Sequence, residues 1–517
     1  MNRLRDLLAR DPLLVAVFAV LWGAALVPLW QPRWLPLLDL PNTLSAVALW
    51  HRYGDPSWNY QKYYTLNLLP LPYWGYLFPV HLLSYVFPIQ IANKLFLSAY
   101  ALALPVGAGL LAQRTGRSPW LALFAFPFVY NMNFSYGFVS FCAGMAMLLF
   151  ALWALEGFLD APTRGRGAAL GLLTLALYFC HVLPWLYFGL AAGVLLSCHG
   201  WHPRRIAAAV ALMLPSVAVG IYAFRAAAHG GTAVKEGALH YEGLRESTLV
   251  TLQQLPGSLL TTWPGDRAYQ IMLLLGALWL ALLLTSRTDP DDSAARAHGY
   301  VYRLELIAVL AALLPFCLPT HLYQPVDLWM VGGRFFSVAA LLGALLVHGP
   351  IVGRRKLLLV PVAILAFVYP LLLGQQWSEF DRRAGSARRL LPRIRRGSST
   401  LTLVYGDGRD PSVAEQQLPY VMFHAYPQLQ AGGYDPWSLG TGFPMVKKPD
   451  AALPAPPWRH PEQFDKATMA DAYDYILTYK EINDYSIFGP NDSVAYPLLG
   501  TDGDWRLYEV RGARKAE

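Results

Sequence analysis

Along the chain, apolar residues come in blocks separated by short polar or basic connections. A helix rises 1.5 Å per residue and the hydrocarbon core of a bilayer is about 30 Å thick, so about 20 apolar residues make a span. Segments 12–30, 71–88, 91–112, 119–131, 134–156, 167–182, 183–199, 205–225, 269–286, 303–318, 333–348 and 356–374 approach that pattern. Several are short or carry proline, which predicts tilted, kinked or surface-lying pieces. The tail has a different texture. Thr400–Tyr405, Tyr475–Tyr479 and Trp505–Val510 have the β-branched and aromatic content of strands, and Gly/Asp/Pro clusters separate them. Residues 461–473 suit a helix.

Basic residues orient the blocks. They concentrate at the N-terminus (Arg3, Arg5, Arg10), Arg114–Arg117, Arg164–Arg166, Arg204–Arg205, 286–303 and Arg354–Lys356. Placing all of these in the cytoplasm, as positive charge near spans dictates, makes residues 71–112 cross only once. The half with Pro70, Pro72, Pro79, His81 and Pro88 then reads as re-entrant or interfacial. The count becomes about 11 spans, with the N-terminus inside and the C-terminus outside. A crossing by both halves gives 12 and puts Arg114–Arg117 outside, against the rule. The first apolar stretch lacks a small-x-small cleavage site and reads as an uncleaved span rather than a signal peptide.

This predicts a mostly α fold: a polytopic transmembrane helical bundle with a small extracytoplasmic C-terminal α/β domain. Residues 1–374 form the membrane domain, with outer loops 31–70 and 226–268. Residues 375–396 form an Arg-rich connector, and 397–517 the α/β domain. The outer face collects the chemically capable residues; the basic connections read as topology signals only.

Composition agrees. Hydrophobic residues make up 55% of 517, and charged residues 14%, against about 25% in soluble domains. The net charge of +8 comes from residues 1–374, with 24 Lys+Arg against 15 Asp+Glu; from Gln375 on the balance is 17 against 18. This excess sits in short connections, so nucleic acid is not a predicted partner. Cys142, Cys180, Cys198 and Cys317 lie in or at the ends of apolar runs without a CxxC pair, and read as small core residues.

Candidate chemistry starts at Asp39-Leu40-Pro41-Asn42, a few residues after the first span. A carboxylate above the bilayer can take a proton from a bound hydroxyl; Asp and Asn also serve as ordinary helix caps. Arg52, Lys62 and Tyr63 follow in an aromatic-rich loop. They suit sugar stacking and phosphate binding, or an interfacial aromatic belt. His181 lies in an apolar run near the outer face, as a cavity residue or a packed one. His240 and Glu242 in the 226–268 loop are two candidate metal ligands or part of a solvated loop. Arg334, after Gly332-Gly333, could clamp a phosphate approaching that flexible backbone, or keep its charge in headgroup water. His424, Tyr426, Gly432, Gly433 and Tyr434 read as a structural turn.

An early outer-loop acid, Asp39 with Pro41-Asn42, many spans and a small outer C-terminal domain together resemble the bacterial GT-C-type membrane glycosyltransferases. That superfamily includes protein O-mannosyltransferases and the aminoarabinose transferase of lipid A. The resemblance implies inverting transfer of a sugar from a polyprenyl-phosphate donor to a glycan, lipid or protein acceptor, outside a bacterial inner membrane. It implies Asp39 as the base or acceptor-orienting acid and Arg334 on the donor phosphate. Asn42, Arg52, Lys62, Tyr63, His181, His240 and Glu242 are the other substrate-binding candidates, and a divalent cation is a possible cofactor. Many members carry two adjacent acids where this chain has Leu38 and Leu40 around Asp39. A transporter or flippase, or a catalytically degenerate relative acting in envelope assembly, is the alternative; the sequence shows no internal repeat of the kind transporters carry.

Overall fold

The computed structural model describes residues 11–199, 202–229, 239–240, 259–260, 267–286, 302–322, 328–414, 417–438, 445–481 and 487–511. The helices that build the bundle are α1 (Pro12–Trp30), α2 (Leu40–Arg52), α3 (Trp74–Leu83), α4 (Ile89–Arg114), α5 (Val139–Asp160), α6 (Arg164–Cys180), α7 (Val182–Cys198), α8 (Pro203–His229), α9 (Arg267–Leu284), α10 (Arg303–Cys317), α11 (Phe335–Ala344) and α12 (Leu359–Leu390). Among the described residues, six helical segments are long and apolar enough to cross a membrane: Pro12–Trp30, Ile89–Arg114, Val139–Asp160, Pro203–Ala226, Arg267–Leu284 and Gly353–Arg393. Exposed Leu13, Val20, Leu172, Leu190, Leu214, Leu273, Leu284, Val309, Leu313 and Ile364 give the bundle an apolar outside, as lipid requires and water does not.

Three segments depart from the pattern of apolar runs. α3 has 10 residues, about 15 Å of helix, and is too short to cross. The run 119–131 is not an α-helix: Pro119–Ala125 and Pro127–Tyr130 are 3-10 helices. Pro119 and Pro127 each open a turn and cannot donate to the one before. Every residue from Trp120 to Phe126 is buried, and non-helical backbone at membrane depth is tolerated where protein surrounds it. Finally, the last span and the Arg-rich stretch are one helix. α12 runs 32 residues, about 48 Å, out of the membrane span and into the C-terminal domain. Its polar end is laced by Arg382 and Arg383 on Glu379 and Arg388 on Asp381, and Arg389 reaches Asp502 of the domain.

The C-terminal domain is built on a four-stranded sheet, order β1-β2-β4-β3: β1 (Thr400–Val404), β2 (Tyr475–Tyr479), β3 (Leu498–Asp502) and β4 (Trp505–Glu509). β1 and β2 are parallel and the other pairs antiparallel. The inner strand β2 is buried throughout. The helix expected over 461–473 breaks into short pieces, because Pro461 starts a 3-10 turn and the Asp465 side chain caps a fresh start at Ala467.

The domain sits on α2. Trp34 stacks on Tyr426 at 4.0 Å. Ser45 Oγ donates to Gln428 Oε1 (2.5 Å), and Tyr60 OH to the Gln428 carbonyl (2.9 Å). A short strand, Tyr64–Leu66, pairs antiparallel with Met445–Lys447 of the domain.

Candidate functional site

Asp39 sits at the N-terminal end of α2, on a turn pinned from below. Its backbone N–H donates to the Tyr136 carbonyl at 3.0 Å, and Leu38 N–H donates to Ser135 O at 3.3 Å. Gly137 closes that contact with φ of +77°, and a Cβ there would come within 2.7 Å of Asp39 N. Only glycine meets both demands. The Asp39 side chain makes no cap hydrogen bond, so the cap role weighed from sequence is not taken up. Among the described residues its carboxylate has no ion-pair partner. Burial pushes its pKa from 3.8 up to about 7, and the Arg334 guanidinium partly offsets that rise. A half-buried carboxylate without a hydrogen-bond donor, poised near neutrality, marks a functional position more often than a structural one.

Arg334 lies just before α11 and is 5% exposed, so it is no snorkelling anchor. Nε and Nη2 donate to the Trp329 carbonyl at 3.1 and 2.8 Å, and Nη1 lies 3.2 Å from His181 Nε2. The guanidinium covers the Phe138 ring at 3.7 Å. No carboxylate ion-pairs with it among the described residues. The room expected at Gly332 for a ligand is occupied: a Cβ there would meet the Pro315 carbonyl at 2.9 Å. That glycine serves close packing on α10.

His181 is the one-residue joint between α6 and α7, fully buried. Its Nδ1 accepts from Leu183 N–H at 3.1 Å. A neutral imidazole offers one lone pair, yet Leu183 N–H and Arg334 Nη1–H both point at this ring. One of those donors lacks an acceptor. Tyr73 packs edge-on to His181 at 5.2 Å and holds φ of +85°, a left-handed conformation rare for an aromatic residue. Such strain gathers at functional sites. The segment bearing it is clamped by Tyr178 OH on the Pro70 carbonyl at 2.9 Å and by Gly75, whose missing Cβ admits Cys180. Sequence reasoning missed Tyr73; no local signal marks its backbone, beyond Pro70 and Pro72 ahead of it.

The other candidates divide. Asn42 turns away toward the C-terminal domain, where Nδ2 lies 3.0 Å from Met422 Sδ and Oδ1 is buried without a partner. Arg52 is at the far end of α2, about 20 Å along the axis from Asp39; it donates to the Leu429 carbonyl at 3.0 Å and stacks over Trp58 at 3.9 Å. Lys62 lies 4.9 Å from the Tyr63 ring, and Tyr63 packs on Tyr434 at 5.2 Å. These three belong to the seam between bundle and domain. The His240 backbone pairs with His321, in the small sheet whose last strand, Leu328–Trp329, supplies the carbonyl that holds Arg334. Glu242 lies outside the described residues.

A second titratable cluster occupies the opposite end of the bundle. Glu156, about 26 Å along α5 from Val139, is 1% exposed and faces Arg303 at 3.1 Å. Asp160 faces Arg114 (3.4 Å), Glu305 faces Arg117 (2.5 Å), and His199 lies between Glu156 and Asp160. The basic connections are therefore not topology signals only: carboxylates partner them, one of which, Glu156, is buried. Glu156, Asp160 and His199 also converge as metal ligands would, but arginines already neutralise both acids, and the trio is remote from Asp39.

No model of a known protein family matches the chain, and no curated protein does. Among solved structures, it is similar to ArnT from Cupriavidus metallidurans bound to undecaprenyl phosphate, at 13% identity and TM-score 0.48 over 98% of this chain and 99% of that one. The same protein in the apo state matches at 13% identity and TM-score 0.47, over 97% and 98%.

Proposed function

We propose that this protein is an integral membrane glycosyltransferase, moving a sugar from a polyprenyl-phosphate donor to an acceptor hydroxyl on the extracytoplasmic face with inversion. The reading is carried by Asp39, whose buried carboxyl feels the charge of the Arg334 guanidinium with no ion pair between them among the described residues. A base works best when its pKa lies near the operating pH, and Asp39 is pushed up to about 7. Arg334 supplies the opposite requirement, a buried cation with no carboxylate bound to it. In the reaction, the acceptor oxygen loses its proton to Asp39 and bonds to the anomeric carbon. The bond from that carbon to the phosphate oxygen breaks, and its electron pair leaves on the phosphate. Arg334 stabilises the departing charge, with the fixed geometry that makes such donors effective. An anionic oxygen would also give the donor left over at His181 its missing acceptor. Asn133 steadies this arrangement, with Nδ2 3.3 Å from the Arg334 carbonyl and 3.1 Å from Ser337 Oγ.

Purified protein offered a panel of polyprenyl-phosphate sugars with a labelled acceptor extract tests the reading. One donor is expected to be consumed with transfer of its sugar, and Asp39→Asn to remove that transfer. An Asp39→Asn protein that folds normally and transfers at the wild-type rate ends the proposal.

A further inference from the structure

The C-terminal domain holds a second polar site, which the transfer reading does not use. His424 is 3% exposed and its Nδ1 donates to Asp435 Oδ2 at 2.7 Å. With Nδ1–H committed to the carboxylate, the opposite ring nitrogen, Nε2, is left for another partner. Nε2 is buried and has no partner among the described residues, and neither has Oγ1 of Thr402, itself 1% exposed. Both residues line one cleft beside strand β1. A buried polar atom without a partner costs about 1–3 kcal/mol, so two of them on residues lining one cleft call for a ligand or a water.

The space suits a hydroxyl. The cavity leaves about 30 Å³ for the centres of water-sized molecules, where about 10–15 Å³ holds one. A hydroxyl both donates and accepts, so one such group can serve Nε2 and Thr402 Oγ1 together. Trp437 closes the inner side, edge-on to His424 at 5.4 Å. At the mouth Trp458 is 43% exposed, with the Arg459 guanidinium carbon 5.7 Å over its ring on one side. Arg459 holds φ of +67°, an unusual backbone state for a non-glycine residue. An apolar ring face, a hydroxyl-sized hole and a cation at the rim are together the negative of a pyranose.

We infer that this cleft is a saccharide-binding site: a pyranoside stacks on Trp458 and places one hydroxyl between His424 Nε2 and Thr402 Oγ1, with Arg459 favouring acidic sugars. Val421 lines the cleft and also packs on Leu38, the neighbour of Asp39. The site therefore lies beside the Asp39 loop, where it would hold the sugar part of an acceptor. Binding does not depend on turnover, so this inference and the transfer reading fail separately.

The test uses the full chain in nanodiscs, with saturation-transfer NMR and tryptophan fluorescence. The probes are methyl glycosides of glucose, galactose, mannose and glucuronic acid. At least one is expected to bind saturably, the glucuronide more tightly than the glucoside. Trp458→Ala, at an exposed position, is expected to abolish binding. Thr402→Val, nearly isosteric, is expected to weaken it about tenfold, the loss of one hydrogen bond. The monodeoxy analogue lacking the inserted hydroxyl should then bind wild type and Thr402→Val equally. No saturable binding by any probe, which would leave an ordered water only in the cavity, overturns the inference. So does binding that Trp458→Ala leaves unchanged.

Discussion

Replacing Asp39 by Asn should make the protein more stable at alkaline pH while removing its activity. The structure fixes the sign. The Asp39 carboxyl titrates near 7 when folded and near 3.9 in an unfolded chain. Between those values the folded state holds the proton more tightly, so ionisation works against folding as pH rises. Stability from this group is fully present below about pH 4 and lost through pH 7. A shift of about 3 units corresponds to about 4 kcal/mol at most, at about 1.4 kcal/mol per unit. Asparagine has the same shape and never ionises. The variant should therefore match wild type near pH 4, exceed it by at most about 1.5 kcal/mol at pH 5, and exceed it by about 1–4 kcal/mol at pH 8. Thermal melting in detergent across pH 5–8 reads the difference. Activity should move the other way: wild-type kcat/KM should fall about tenfold per pH unit below about 7, and the variant should lose about 10²–10⁴-fold. A melting difference that does not widen with pH, or a variant less stable at pH 8, refutes the placement of a desolvated carboxylate at residue 39.

Arg334→Lys should keep the charge but lose the fork on Trp329 O and the stacking on Phe138; donor consumption should drop at least about 100-fold, measured against Arg334→Ala. Gly137→Ala places a methyl against the Asp39 backbone, and transfer should fall about 100-fold with the melting temperature reporting any cost to the fold. Glu156→Gln leaves Arg303 facing an uncharged partner in a dry site; it should cost about 3 kcal/mol in urea titration yet preserve the pH profile set by Asp39. A profile that moves with Glu156 would show the two ends of the bundle to be coupled.

Most membrane-length helices were legible because long apolar runs with few charges admit little else. The tail strands at 400–404, 475–479 and 505–509 were legible from their β-branched and aromatic residues. What the pattern missed has local causes. The run 119–131 is apolar enough to span, but Pro119 and Pro127 deny it the α-helical ladder. The Arg-rich stretch looked like a connector because its charges resemble a loop; the i,i+3 and i,i+4 pairs on Glu379 make it a helix instead. Counting crossings leads one to expect Asp39 and Arg334 at one face, and the effect of the guanidinium on the Asp39 carboxyl agrees with that expectation. Tyr73 was invisible, because nothing in a side-chain identity announces a left-handed backbone. The carboxylate partners of the basic connections were missed for a related reason: Glu156 lies inside an apolar run, where its partner comes from residues 147 positions away.

The helix from Leu359 to Leu390 runs on through Pro370, and that continuity has a mechanical consequence. A domain hung on a loop can swing; one carried on a rigid shaft can only follow the shaft. Trp34 N–H on Asp381 Oδ1 at 2.9 Å fastens that shaft to the loop after α1, five residues before Asp39. Domain and Asp39 turn are thus tied to the same length of helix, and under the transfer reading an acceptor meets both as one surface.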